Sequence, residues 1–161
     1  MNNKRMEKFM KKIFTIMLTF MAVSSIAFAQ DAKKYIADLN PANDEKTITT
    51  AADWLGDKKE KDAVNRLVAL LTDKRDGVRL HAVQALGYIG EKSSAGSLHN
   101  VLLNDKNSTV RYAAILSTMR IKDDKSENVL RQALQNEQAK GKDSDPFILD
   151  LLTKLKAKEK K

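Results

Sequence analysis

The feature that most constrains this chain is an internal repeat of about 32 residues. Residues 70–79 and 102–111 share a Leu-Leu pair, an Asp-Lys pair and a Val-Arg pair at an offset of 32. A fainter copy lies upstream, around residues 51–56, and a degraded copy lies downstream, around residues 130–134. A unit of this size cannot bury an apolar face alone, so the repeat predicts a stack of similar units.

Each unit is predicted to contain two helices. In the clearest unit, apolar residues recur on a 3.6-residue period and form one stripe: Val78, Ala82, Ala85, Leu86 and Ile89. We expect Gly87 and Gly90 to end this helix, and a second helix to bury Leu98, Val101 and Leu102. The predicted fold class is all-α, a short α-solenoid of about three helical hairpins with a capping helix at each end.

Helix start signals divide the chain further. Asp44 can cap the first repeat helix, Ser108 or Thr109 a later one, and Asp145-Pro146 the last, which presents Phe147, Ile148, Leu151, Leu152 and Leu155. The predicted organisation is an N-terminal capping segment (30–43), repeats (44–136), and a linker and C-terminal capping helix with a Lys-rich tail (137–161).

The same residues carry a family resemblance. The Val78-Arg79 pair, followed by Ala82 and by the Ala-Leu-Gly-x-Ile-Gly run of residues 85–90, resembles HEAT repeats, especially the phycobilin-lyase-like branch. The resemblance covers about residues 44–135 and is weakest at its start. It implies an α-solenoid whose second helices line a concave face that binds a protein or peptide.

The first 29 residues read as a targeting segment. A basic start is followed by an uncharged run from Ile13 to Ala29, which ends in Ala27-Phe28-Ala29 before polar Gln30. This order predicts a cleavable secretory signal peptide, and therefore an exported protein, periplasmic or extracellular, with no stable membrane anchor after cleavage. The alternative is a retained anchor, although the run is short for a membrane span. Translation could also start at Met10.

Charge and cysteine content narrow the function. The net charge of +8 comes from the two ends, residues 1–29 and 154–161, while the stretch between them is neutral. A nucleic-acid partner is therefore not expected. The absence of cysteine excludes disulfides and a lipid-modified cysteine.

No catalytic, cofactor or metal site is predicted. His81 and His99 are the only histidines, and neither is followed by the Glu found in the iron-binding His-Glu pairs of HEAT-repeat deoxyhypusine hydroxylases. We therefore expect a non-enzymatic interaction or scaffold module in the bacterial cell envelope. The alternatives are a small lyase-like or accessory enzyme, and a binder of anionic envelope polymer through residues 154–161.

Two sets of residues are singled out. A structural turn ladder is expected from Asp73, Arg79, Asp105 and Arg111, in which each arginine pairs with turn acids. If a partner binds the second helices, their register nominates His99, Asn100, Arg131 and Gln132. On that hypothesis Gln84 and Arg120, on the first helices, take no part in binding.

Overall fold

A computed structural model describes residues 3–158, apart from the side chains of residues 3–9, 18–28 and 158. The chain divides into two compact units, residues 1–34 and 35–161. The N-terminal unit is part of helix α1 (Asn3–Asp38), which continues through the predicted cleavage position. Ala29 and Gln30 are exposed there, whereas the side chain of Ala27 lies outside the described residues. Export and cleavage therefore stay predictions. Among the residues that were described, no helix has the length and apolar character needed to cross a membrane.

The second unit is a short all-α solenoid, as the repeat predicted. The first helices of the three hairpins are α2 (Glu45–Asp57), α4 (Asp76–Ile89) and α6 (Ser108–Ile121). The second helices are α3 (Val64–Leu70), α5 (Ala95–Asn104) and α7 (Ser126–Ala139), and α8 (Pro146–Lys158) closes the C-terminal end. Short 3₁₀ turns, Lys61–Ala63 and Lys92–Ser94, lead into α3 and α5. Helices α2, α4 and α6 pack side by side as one layer.

Side-chain caps fix where several helices begin. Asp44 accepts a hydrogen bond from the Thr47 backbone N–H at the start of α2. Asp145 does the same for α8, where Pro146 occupies the first helical position. The start of α6 differs from the prediction, because Asn107 rather than Ser108 or Thr109 is the cap. Its side-chain oxygen accepts hydrogen bonds from the backbone N–H groups of Thr109 and Val110, so Ser108 is already the first residue of the helix.

The predicted apolar stripes form one continuous core. It includes Val78, Ala82, Leu86, Leu98 and Leu102, all nearly inaccessible to solvent. The prediction that Gly87 ends its helix was wrong, because α4 continues to Ile89 and ends at Gly90, which has the left-handed conformation (φ 77°). Gly87 instead allows α6 to approach: a Cβ placed on it would lie 2.3 Å from Ser117 Oγ.

The two ends of the solenoid are covered by aromatic and apolar side chains. At the front, Tyr35 stacks on Trp54 with ring centroids 4.5 Å apart, and Leu39 is buried. At the back, α8 buries Ile148 and Leu152. Phe147, which the sequence grouped with the apolar residues of this helix, does not join them: it is 78% exposed and lines a surface depression with Thr109 and Tyr112 of α6.

Candidate interaction surface

Arg79 joins two successive inter-helix turns. Its guanidinium donates to both carboxylate oxygens of Asp105, with Nε–Oδ2 at 2.7 Å and Nη2–Oδ1 at 2.9 Å. It also donates to Asp76 Oδ1 at 2.8 Å and to the Asp73 backbone carbonyl at 2.9 Å. The side chains of Arg79 and Asp105 are both buried, so this two-point, charge-assisted contact ties the turn before α4 to the turn before α6.

The contact between Arg79 and a turn carbonyl recurs one repeat later, and Arg75 makes a different contact with the preceding turn. Arg111 donates to the Asp105 carbonyl at 3.0 Å, as Arg79 does to the carbonyl of Asp73. Arg75 extends the ladder forward, because it donates to the carbonyls of Pro41 and Asn43 while pairing with Asp73. Sequence analysis missed Arg75, whose counterpart in the next repeat is Asn107 rather than a second arginine.

The carboxyl groups of the ladder are stabilised in their ionised form. The hydrogen bonds from Arg75 hold the pKa of Asp73 below its ordinary value. Burial alone would raise the pKa of Asp105, but the hydrogen bonds from Arg79 and from the Asn107 N–H lower it overall. The pKa of Arg79 is raised by the same contact with Asp105. The ladder residues are therefore occupied with one another, and they are buried or half-buried.

Of the four residues proposed for the second-helix face, three are exposed and one, His99, is buried. His99 was predicted to avoid the core, and this was wrong: it is 7% exposed. Asn100 is exposed and accepts a hydrogen bond from Asn104. Arg131 pairs with Glu127 of the same helix, and Gln132 is exposed.

His99 is buried because the turn after α6 folds over it. Its Nε2 lies 3.3 Å from Asp123 Oδ1, but the two groups are not aligned for a hydrogen bond. Ser126 donates a hydrogen bond to Asp123, and this bond lowers the pKa of Asp123. A periodic pattern places His99 beside the stripe, but it does not show that a later turn covers the position.

His81 makes a different contact, on the first-helix layer. Its Nδ1 lies 2.6 Å from Asp53 Oδ1 of the preceding hairpin, and both side chains are partly exposed. Within the described part of the chain, no group of three or more His, Cys, Asp or Glu side chains could hold a metal ion.

The most distinctive surface is a groove of about 180 Å³ between α4 and α6, which we call the α4–α6 groove. Large apolar side chains there are exposed to solvent: Tyr88 by 48%, Leu116 by 42% and Tyr112 by 38%. Small residues, Ala113 and Ser117, form its floor, since Gly87 and Ser117 bring the two helices together. An exposed apolar cluster on a folded domain marks a candidate binding surface.

The walls of the groove occupy equivalent positions in successive repeats. On α4 they are Leu80, Gln84 and Tyr88, and on α6 they are Tyr112, Leu116 and Arg120, each 32 residues later. The i, i+4, i+8 spacing makes each wall a straight ridge along its helix. At the corresponding positions of α2, 31 residues earlier, the chain has Thr49, Asp53 and Asp57. The apolar character is therefore specific to the second and third hairpins.

Arg120 closes one end of the groove. Its guanidinium carbon lies 4.3 Å from the centroid of the Tyr88 ring, a cation–π contact that crosses from one wall to the other. At the other end, Thr109 and Tyr112 continue into a second depression that Asp145 and exposed Phe147 also line. Sequence analysis assigned none of these apolar residues a role, although the helical spacing of Leu80 and Tyr88, and of Tyr112 and Leu116, off the core stripe, was a usable signal.

The model of the HEAT-repeat family matches the sequence twice, over residues 33–99 and 76–142. The two matches overlap and together cover well over half of the chain, so the protein belongs to the HEAT-repeat family. Proteins of this family generally mediate protein–protein interactions, and their scaffold is typically non-catalytic. The sequence has no significant match among curated proteins.

Proposed function

We propose that the protein is a non-enzymatic interaction module of the bacterial cell envelope, and that it binds a protein partner through the α4–α6 groove. The observation that carries the proposal is the exposure of Tyr88, Tyr112 and Leu116 together along one groove. Tyrosine and arginine side chains are typical of the residues that dominate binding energy.

The fold does not need these side chains where they are. Positions 80, 84 and 88 correspond to Thr49, Asp53 and Asp57 of α2, and the first hairpin packs into the same core with polar residues there. Exposed apolar groups lower solubility without adding to the core. A binding role accounts for them, whereas a stabilising role does not.

The envelope location rests on residues 1–29, whose basic start, uncharged run and Ala27-Phe28-Ala29 ending match a cleavable signal peptide. Intact-mass measurement of the protein recovered from the extracytoplasmic fraction tests this part. We expect a chain that begins at Gln30, and a full-length chain held in the membrane fraction would contradict it.

Site-specific photo-crosslinking in cells tests the binding surface. A photoreactive amino acid at Leu116 should give a discrete crosslinked product, whereas the same amino acid at Asn100 or Gln132 on the second helices should not. All three side chains are exposed, so accessibility is matched. Products from positions 100 and 132 but not from 116 would move the interface to the second helices. Products from none of the three would remove the interaction role.

A further inference from the structure

The chemistry of the α4–α6 groove also indicates what occupies it, and this step rests on the proposed function. We infer that the groove binds an amphipathic helix of a partner protein, with its apolar stripe between the walls and an acidic first turn beside Arg120. Three properties of the groove support this occupant: its length, its shortage of hydrogen-bonding groups, and its charge.

The length suits a short helix. From Tyr112 to Arg120 the wall spans nine residues, and the eight steps between them give about 12 Å of helix, which equals roughly two turns of a second helix laid alongside. Apolar residues at i, i+3 or i+4, and i+7 of that helix would lie between the two ridges. The small floor residues, Ala113 and Ser117, leave room for such side chains.

The groove offers little to an extended backbone. Ser117 already donates its hydroxyl to the Val83 carbonyl at 3.0 Å, so the uncharged hydrogen-bonding groups that remain in the described lining are Gln84, Thr109 and the hydroxyls of the two tyrosines. An extended peptide leaves its own N–H and C=O groups in need of partners, and an apolar wall supplies none. A helix satisfies its backbone internally, so it loses less on entering this groove.

The charge fixes the orientation. Among the described residues that line the groove between α4 and α6, Arg120 carries a charge and no side chain is acidic. Arg120 lies in the last turn of α6, where the carbonyl end of the helix dipole is negative. A partner helix antiparallel to α6 places its own N-terminal end there. Acidic residues in that first turn would meet Arg120 while also stabilising their own helix.

Phage display with the full chain tests the inference, using an unbiased library of random peptides about 16 residues long. Selection on the parent protein is counter-selected with the Leu116→Asp variant, which changes an exposed position and should keep its helical circular dichroism. We expect enriched peptides with an apolar i, i+3, i+4, i+7 stripe and acids in the first turn. Synthetic copies should bind the parent at least about tenfold more tightly than Leu116→Asp.

The orientation is tested with each enriched peptide and a copy whose acids are moved to its last turn. The first-turn peptide should bind the parent at least about threefold more tightly, and Arg120→Gln should remove that preference. Asn100→Ala, on the second helices, is the matched control and should change neither affinity.

The outcomes separate the two proposals. Peptides that need Leu116 but are proline-rich, extended or basic would overturn the helix inference and leave the binding surface in place. Failure to enrich any peptide, or equal binding to Leu116→Asp, would overturn the inference, while the crosslinking experiment still decides the proposed function. Concentration-dependent self-association of the parent that Leu116→Asp abolishes would assign the groove to a second copy and overturn it as well.

Discussion

Replacing Asp105 with asparagine tests how much the turn ladder contributes to stability. The carboxylate of Asp105 accepts two hydrogen bonds from Arg79 and one from the backbone N–H of Asn107. Asparagine has nearly the same shape, but one of its two terminal atoms is an NH₂ donor. The variant therefore places a donor against the guanidinium and removes the negative charge that balances it.

The expected loss follows from these contacts. Hydrogen bonds to charged groups contribute about 1.5–3 kcal/mol each, and breaking a buried ion pair from one side costs about 3–5 kcal/mol. Arg79 keeps Asp76 and the carbonyl of Asp73, which offset part of the loss. We therefore expect the free energy of unfolding to fall by about 2–3 kcal/mol. For a domain of this size that corresponds to a melting temperature lower by roughly 6–12 °C.

Thermal melting followed by circular dichroism at neutral pH measures the effect. The matched control is Asp124→Asn, the same chemical change at an exposed position, which should shift stability by no more than about 0.5 kcal/mol. If Asp105→Asn melts within about 2 °C of the parent, the ladder contributes little, and the argument from buried charge-assisted contacts is wrong.

Three further predictions concern packing, burial and pH. Gly87→Ala should lower the free energy of unfolding by about 1–3 kcal/mol, because its Cβ would meet Ser117. The control Gly96→Ala has open space around it and should raise that free energy by up to about 1 kcal/mol. Equal effects in urea denaturation would contradict the close approach of α4 and α6. His99→Ala should lose about 1–2 kcal/mol, since it empties a buried site beside Asp123, and a variant as stable as the parent would place His99 back on the surface. The ladder carboxyls have lowered pKa values in the folded state. The stability that they contribute is therefore complete above about pH 4 and is lost as the pH falls through those lower values. Melting temperatures that do not fall in acid would refute this contribution of the ionised carboxyls.

Much of the fold was predictable because the core repeats. The stripe from Val78 to Ile89 has the same period in each unit, and neighbouring units must bury it against one another, so the helices and their order follow from the pattern. The caps were partly predictable: Asp44 and Asp145 act as expected, but Asn107 displaced the later hydroxyl residues. Side chains that cap equally well cannot be ranked without the turn that precedes them.

The wrong predictions at single positions share a cause: the environment of each residue depends on a neighbouring element of the fold. Gly87 was taken as a helix end, yet its missing Cβ serves the approach of α6. His99 was placed on a surface, yet the turn at Asp123 covers it. Phe147 was grouped with the apolar residues of the last helix, yet its neighbour Ile148 is buried at the start of α8 and Phe147 is not. Local periodicity contains no information about which segment comes to cover a given face.

In the α4–α6 groove, the residues that the fold requires differ from those that we propose for binding. Positions that face the core hold small or aliphatic residues in all three hairpins, because each must pack against its neighbour. Apart from Leu80, which packs against the core, the wall residues of α4 and α6 are exposed, and the wall changes from acidic in α2, through Tyr88 in α4, to Tyr112 and Arg120 in α6. Since α2 is polar at these positions, the fold does not require the exposed apolar side chains there. This contrast with the acidic α2 ridge of the same molecule is why we propose a binding role for an apolar groove that has a single cation at one end.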